Sequence, residues 1–370
     1  MPPLSMMIKP ASGMCNMCCS YCFYKDEMSH RSVASFGIMS DETLENLIRR
    51  VFTYADSHVS LAFQGGEPTL AGVGFYTKLL ALEKSYNTRR QPVQHAIQTN
   101  GLHLSDDLLN VFKQGHFLVG VSVDGYQAIH DSRRLDQSGQ GTYARVMANI
   151  DRLKKANIDY NILCVVDQQV AREPEKVFHS LKEHGYLQFI PCLDGFHSSL
   201  SEYSLDAITY GEFLTALFAL YEQAFRSGHF VSIRAFDNWV NMAAGHPNDE
   251  CAHMGRCLPT FLVESNGNVY PCDFYSLDEW LLGNVNGQSL FRIAKSPVGA
   301  AFCEASYTVH EKCRSCQWQF LCHGGCRRDR EPMCNGELGL NRLCEGYQRF
   351  FQACYSKICG LAMLPPPQMP

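Results

Sequence analysis

Ser5-Met-Met-Ile8-Lys9-Pro10-Ala-Ser-Gly-Met-Cys15-Asn-Met-Cys18-Cys19-Ser-Tyr21-Cys22-Phe-Tyr24 is the stretch from which the rest of the chain is read. Ser5 to Ile8 forms a short apolar strand that stops at Lys9-Pro10, since proline offers no donor to a ladder. The loop that follows sets Cys15, Cys19 and Cys22 at the spacing C-x3-C-x2-C, with Cys18 inside the loop but off that spacing. Three thiolates on a four-iron cube leave one iron open to a small molecule, whereas four thiolates close the site. A zinc knuckle is the alternative, although zinc prefers four closed ligands and no fourth stands nearby at the usual spacing. Cys18 is expected to be a non-ligand.

Outward from this loop the chain alternates strand and helix signals. Ser40 caps a helix whose Leu44, Leu47, Ile48 and Val51 follow the helical spacing. Val59 to Phe63, Val93 to Gln98, Phe117 to Val123, Tyr160 to Val166 and Leu187 to Ile190 read as buried strands. Between and after them, helical patterns cover Gly74 to Tyr86, Asp106 to Lys113, Thr142 to Ala156, Pro174 to His184 and Tyr210 to Ser227, each long enough to cross between parallel strands. Six β-α units are fewer than the eight of a closed barrel. An α/β fold is expected, a partial (β/α)6 TIM-like barrel over residues 1–230 with its working loops after the strands. The pattern changes after about residue 230. Residues 231–370 are expected to form a small Cys-rich domain and a C-terminal helix, with a hairpin turning at Asn266-Gly267 between Thr260-Val263 and Val269-Pro271. The terminal Leu-Pro-Pro-Pro is expected to be a frayed tail.

Composition narrows the class. The chain has 370 residues, 46% of them hydrophobic, a formal charge of −5 and 18 cysteines. Without a clustered basic face, a sequence-independent nucleic-acid partner is not indicated. No basic leader runs into a long apolar stretch and no segment is long enough to span a bilayer, so the expectation is a cytoplasmic protein with no membrane association. Cysteine placement separates metal from disulfides. Four cysteines fall between positions 15 and 22 and twelve from 251 onward, with only Cys164 and Cys192 between them. Disulfide frameworks belong to small secreted domains that lack a core, so metal is favoured. Cys164 and Cys192 read as small core hydrophobes. Cys303, Cys334, Cys354 and Cys359 match no motif position, and no histidines form a metal-like pair; His323 reads as a supporting or solvent-facing group.

The loop Cys15 to Cys22 resembles the signature of radical S-adenosylmethionine (SAM) enzymes, in which the open iron chelates SAM and reductive cleavage yields a deoxyadenosyl radical. The strand Val59 to Phe63 runs into Gln64-Gly65-Gly66-Glu67-Pro68, similar to the motif by which that family bonds the methionyl ammonium. The resemblance implies further SAM contacts at Tyr21, Gly66, Ser122, Arg134 and Leu193. Ser122 would bond a ribose hydroxyl or carboxylate, Arg134 the carboxylate, and Leu193 would pack the adenine. Farther on, Cys313, Cys316, Cys322 and Cys326 have the spacing C-x2-C-x5-C-x3-C. This resembles the SPASM domain, which carries two auxiliary 4Fe-4S clusters. The implied ligands are Cys251, Cys257, Cys272 and Cys326 for the nearer cluster and Cys313, Cys316, Cys322 and Cys344 for the farther one, three clusters in all. A pair of zinc sites is the alternative, because tetrathiolate sets suit both.

Ile8-Lys-Pro-Ala, Cys22-Phe-Tyr24, Phe63-Gln-Gly-Gly-Glu-Pro-Thr-Leu70, Gln98-Thr-Asn-Gly101 and Val269-Tyr-Pro-Cys-Asp-Phe-Tyr275 together resemble the anaerobic sulfatase-maturating enzymes, from Leu4 to about Tyr355. That resemblance implies oxidation of a Cys or Ser in a Cys/Ser-x-Pro-x-Arg segment of a nascent sulfatase to formylglycine. The radical takes a hydrogen from the β-carbon, Asp273 accepts the hydroxyl or thiol proton, and an auxiliary cluster takes the second electron. A flavodoxin or ferredoxin is the implied electron donor. Two other readings stay open: another peptide-modifying SPASM enzyme that forms thioether or carbon–carbon links, and a non-enzymatic iron–sulfur electron carrier. The first often adds a leader-recognition domain, for which the stretch before Cys15 has no room. The second has no need of an open cluster, a Gly-Gly-Glu strand end and a partial barrel together.

Overall fold

In chain order the strands are β1 (Leu4–Ile8), β2 (Val59–Phe63), β3 (Val93–Thr99), β4 (Phe117–Ser122), β5 (Tyr160–Val166), β6 (Tyr186–Pro191), β7 (Ser232–Ile233), β8 (Leu262–Val263), β9 (Asn268–Tyr270) and β10 (Gly283–Asn284). A computed structural model describes residues 3–196, 201–258, 260–331 and 337–365. It divides into two compact units, the first made of Met1–Ser122, Asp131–Tyr160 and Leu258–Phe302, the second of Val123–His130, Asn161–Cys257 and Cys303–Pro370. Cys334 lies outside the described residues, as does most of the terminal proline run.

In the first unit β1 to β4 are parallel neighbours in chain order. Their apolar runs are buried as expected of strands covered by crossover helices; Val59, Leu61 and Phe63 have no exposed surface. The helix Asp41–Tyr54 starts where Ser40 Oγ accepts the Thr43 N–H at 3.1 Å, and Leu44, Leu47, Ile48 and Val51 are all fully buried. Phe63, Tyr76, Phe112 and Phe117 fill the core, with Tyr76 edge-on to Phe63 and Phe112 at 5.5 and 5.4 Å between ring centroids.

The Asn266-Gly267 hairpin is present, with Gly267 at φ 86° and β8 antiparallel to β9. The sequence reading had grouped this segment with the Cys-rich end. Instead β8 pairs parallel with β1, Met7 opposite Leu262 and Ile8 opposite Val263, and the sheet of the first unit runs β10-β9-β8-β1-β2-β3-β4. Local turn chemistry marks a hairpin but carries no information about which edge the hairpin joins.

The second unit contains the parallel strands β5, β6 and β7. The seventh parallel strand, two residues long, is too short to leave a period in the sequence. The helix Ala207–Arg226 packs on the C-terminal helix Cys344–Ala362, and the two approach where Gly211 meets Gly346. Cys164, Cys192, Cys303 and Cys354 are buried. Among the described residues no helix is long and apolar enough to cross a membrane.

Candidate active site

The loop after β1 is held by the strand ends around it. The Gly66 N–H donates to Ser12 O at 3.0 Å and the Glu67 N–H to Met14 O at 2.8 Å. This contact requires glycine: a Cβ on Gly66 would stand 2.1 Å from Met14 O, and one on Gly65, whose φ is +118°, 2.7 Å from Ser12 O. Glu67 is fully buried and ties β2 to β3 by accepting from Thr69 N–H (3.0 Å), Thr99 Oγ1 (2.8 Å) and Asn100 N–H (2.7 Å). Burial pushes its carboxyl up, with these donors opposing.

On its other side the loop is strapped to residues 133–137. Cys18 N–H donates to Leu135 O at 2.8 Å, Ser20 N–H to Arg133 O at 3.2 Å, and Gln137 Nε2 to Cys15 O at 3.0 Å. The strap brings Arg134 to Tyr21, with the guanidinium 5.5 Å from the ring centroid. Ser122 ends β4, half-buried, and Leu193 stands just past β6 in the second unit.

Cys15, Cys19 and Cys22 are half-buried, Cys19 and Cys22 act electrostatically on Cys15, and Cys18 is exposed. Asn100 Nδ2 and Met17 N–H approach Cys15 Sγ at 3.6 and 3.4 Å. Such donors stabilise sulfur carrying negative charge. Burial pushes the Cys15 thiol up to about 12, so a metal must displace the proton for this sulfur to become a ligand. The sequence reading quoted Gln98-Thr-Asn-Gly101 but missed what Asn100 does; a polar residue directly after a strand was the available signal.

Asp273 lies in the turn Asp273–Tyr275 after β9, one residue past Cys272, and is buried. Its Oδ2 accepts from the Tyr24 hydroxyl at 2.8 Å, and its Oδ1 faces Lys9 Nζ at 3.5 Å. Lys9, 1% exposed, also donates to Glu27 Oε2 at 2.8 Å and Ser276 Oγ at 2.9 Å and lies 3.9 Å from Glu264. Arg31 donates to Glu264 Oε1 at 2.7 Å. The cluster therefore sets three carboxylates against two cations. Burial raises the Asp273 carboxyl, with Lys9 pulling the other way. Although burial works against it, the carboxylates of Glu27, Asp273 and Glu264 hold Lys9 above its ordinary value. Tyr24, raised by burial beside Asp273, keeps its proton and remains a donor. None of the residues surrounding Asp273 was anticipated, because the sequence separates Lys9 and Glu27 from Glu264 and Ser276 by more than two hundred positions.

The remaining thiols form two sets in the second unit. Cys251 and Cys257 act electrostatically on Cys326. Cys313, Cys316, Cys322 and Cys344 line one cavity, together with Trp318, Tyr347 and Phe351. Cys272 lies in the first unit beside Asp273. Among the described residues no three His, Cys, Asp or Glu side chains stand ready to hold a single metal ion. The soft, all-thiol donor sets and the N–H groups aimed at Cys15 fit iron–sulfur clusters. His323, half-buried, has its Nδ1 2.8 Å from His253 O.

Comparison with known proteins agrees with these features. Residues 10–181 match the radical SAM superfamily, and residues 256–317 the SPASM iron–sulfur cluster-binding domain. The second match begins after Cys251 and ends before Cys322, Cys326 and Cys344. Fold and site together define a radical-SAM enzyme with a 4Fe-4S cluster and SAM as cofactors, and further clusters in an appended SPASM domain. A cysteine-type anaerobic sulfatase-maturating enzyme of Clostridium perfringens is 40% identical over 366 residues, 98% of this chain and 99% of the relative. A serine-type enzyme of Bacteroides thetaiotaomicron is 31% identical, over 95% of this chain and 89% of the relative. The solved structure of native anSMEcpe with bound AdoMet and Kp18Cys peptide has a TM-score of 0.93 at 40% identity, covering 98% of this chain and 99% of that one. The chain belongs to the anaerobic sulfatase-maturating enzymes.

Proposed function

We propose that the protein oxidises a Cys or Ser within a Cys/Ser-x-Pro-x-Arg segment of a sulfatase polypeptide to formylglycine, with Asp273 as the proton acceptor. The observation that carries this reading is a buried carboxylate, one residue from Cys272, oriented by Tyr24 at 2.8 Å. The relative with bound AdoMet and Kp18Cys peptide supplies the substrate class. Cys15, Cys19 and Cys22 would hold the first cluster; Cys251, Cys257, Cys272 and Cys326 the nearer auxiliary cluster; and Cys313, Cys316, Cys322 and Cys344 the farther one. When bound, these groups and SAM supply the radical that takes a hydrogen atom from the substrate β-carbon and the sink for the electron that follows.

The protein's own part is binding and proton transfer. Tyr21, Gly66, Ser122, Arg134 and Leu193 would receive SAM, Arg134 by a charge-assisted bond to its carboxylate. Asp273 takes the thiol or hydroxyl proton. Its raised carboxyl favours holding that proton, and the neighbouring Lys9 keeps the carboxylate form accessible. Loss of one hydrogen atom, one proton and one electron leaves a C=O from serine or a C=S from cysteine, and hydrolysis of the latter gives the same aldehyde. A flavodoxin or ferredoxin would deliver the priming electron, and the target segment must be unfolded for its β-carbon to enter the site.

The test is anaerobic reconstitution with SAM, a reductant and short peptides bearing Cys-x-Pro-x-Arg or Ser-x-Pro-x-Arg, followed by mass spectrometry. A formylglycine mass with deoxyadenosine release is expected. In Asp273→Asn, product should fall by roughly the hundredfold or more that a general base contributes, while SAM is still cleaved. SAM cleavage with no change in either peptide would sink the substrate assignment.

A further inference from the structure

The motif Ile8-Lys-Pro-Ala stood out in the sequence without a role, and the structure puts its lysine at the centre of the Asp273 environment. Lys9 directly follows β1, so the residue that starts the thiol loop also reaches the turn bearing Asp273. Gly65 leaves room for it: a Cβ there would stand 3.1 Å from Lys9 Cγ. The ammonium donates at hydrogen-bond distance to Glu27 and Ser276, and these two contacts alone would anchor it. Besides Glu264 at 3.9 Å, its remaining contacts are with the proposed proton acceptor and the phenol that orients it. Asp273 Oδ1 lies 3.5 Å away, and the ring of Tyr24, whose hydroxyl holds Oδ2, is centred 4.7 Å from Nζ. One cation thus constrains both the carboxylate and the phenol that orients it. A buried ion set of this kind is weak evidence for stability, since apolar packing of similar volume is often as stable. Its placement against Asp273 and Tyr24 points to the geometry it imposes.

We propose that Lys9 is a positioning residue for the oxidation, fixing Asp273 and Tyr24 so that substrate deprotonation keeps pace with radical formation. The proposal rests on the reading of Asp273 as the proton acceptor. Without Lys9 the deoxyadenosyl radical should still form, but fewer radicals should end in product.

The experiment measures formylglycine formed per deoxyadenosine released, together with the kcat and KM for the peptide and the iron content, in Lys9→Met, Asp273→Asn and the native protein. Because Lys9→Met leaves Glu27 uncompensated in the interior, while Arg31 still pairs with Glu264 at 2.7 Å, Lys9→Met with Glu27→Gln is measured beside it. The glutamine carbonyl can still accept from Ser276 N–H and Oγ, as Glu27 Oε1 does at 2.9 and 2.6 Å. The expected result is full iron, an unchanged peptide KM, and at least a tenfold fall in product per deoxyadenosine in every Lys9 variant that keeps its iron. A native ratio in a Lys9 variant with full iron, while Asp273→Asn is uncoupled, would overturn the proposal and leave the base assignment standing. A native ratio in Asp273→Asn would remove the base assignment and the proposal with it. Loss of iron in both Lys9 variants would assign the residue to holding the thiol loop, which also overturns the proposal.

Discussion

Gly66 shows how little space separates the two halves of the first site. The backbone of the Cys15 loop lies where a side chain at residue 66 would be, 2.1 Å from its Cβ. Neither partner is the flexible end of a side chain, so Gly66→Ala must shift backbone that carries the Cys15 side of the loop. With three four-iron clusters in the native protein, iron after reconstitution should fall by about a third, with SAM cleavage lost. Full iron and unimpaired cleavage would show that the loop adapts. The Gly-Gly-Glu pattern was legible as a strand end close to a ligand, but the sequence could not say that both amides after Gly65 are already spent on the thiol loop. Asn100 and Lys9 are similar. Their local surroundings are ordinary, and their significance comes from what distant segments place against them.

Among the elements, the pair Ala207–Arg226 and Cys344–Ala362 depends on a close backbone approach. A Cβ on Gly346 would meet Ala207 O at 2.2 Å. Gly346→Ala should cost roughly 1–3 kcal/mol, since overpacking forces backbone apart. The urea midpoint should drop with an unchanged m-value, and an unchanged midpoint would mean that the helices separate without penalty. The first of these helices was legible from its apolar spacing, and Asp206 caps it by accepting the Thr209 N–H at 2.8 Å. The hairpin at Asn266-Gly267 was legible too, for the same reason of local chemistry. Its parallel pairing with β1 was not. That pairing anchors the strand pair from which the Asp273 turn emerges, in the same unit as Tyr24 and Lys9.

For the molecule as a whole, iron is expected to be part of the fold. The region 311–330 has only helices of four residues, Glu311–Arg314, Gln319–Cys322 and the 3-10 turn Arg327–Arg330, too short to be stable alone. Its Cys313, Cys316 and Cys322 line a cavity with Cys344. Chelation of iron should therefore raise amide exchange across 313–344 while the amides of β2, β3 and β4 stay protected, because binding energy at such sites is folding energy. Equal protection with and without iron would show that this segment folds by packing alone.

The amino-acid sequence by itself determined the alternation of strands and helices, the three-thiol loop and the C-x2-C-x5-C-x3-C run from Cys313 to Cys326. Each is written in local spacing, and spacing is what periodicity and ligand geometry depend on. Only the tertiary structure decided what surrounds Asp273. Lys9, Tyr24, Glu27, Glu264 and Ser276 come together because β8 pairs with β1 and carries a distant turn back to the first strand. The register of that pairing belongs to no single segment, and the charges it buries interact through space rather than along the chain.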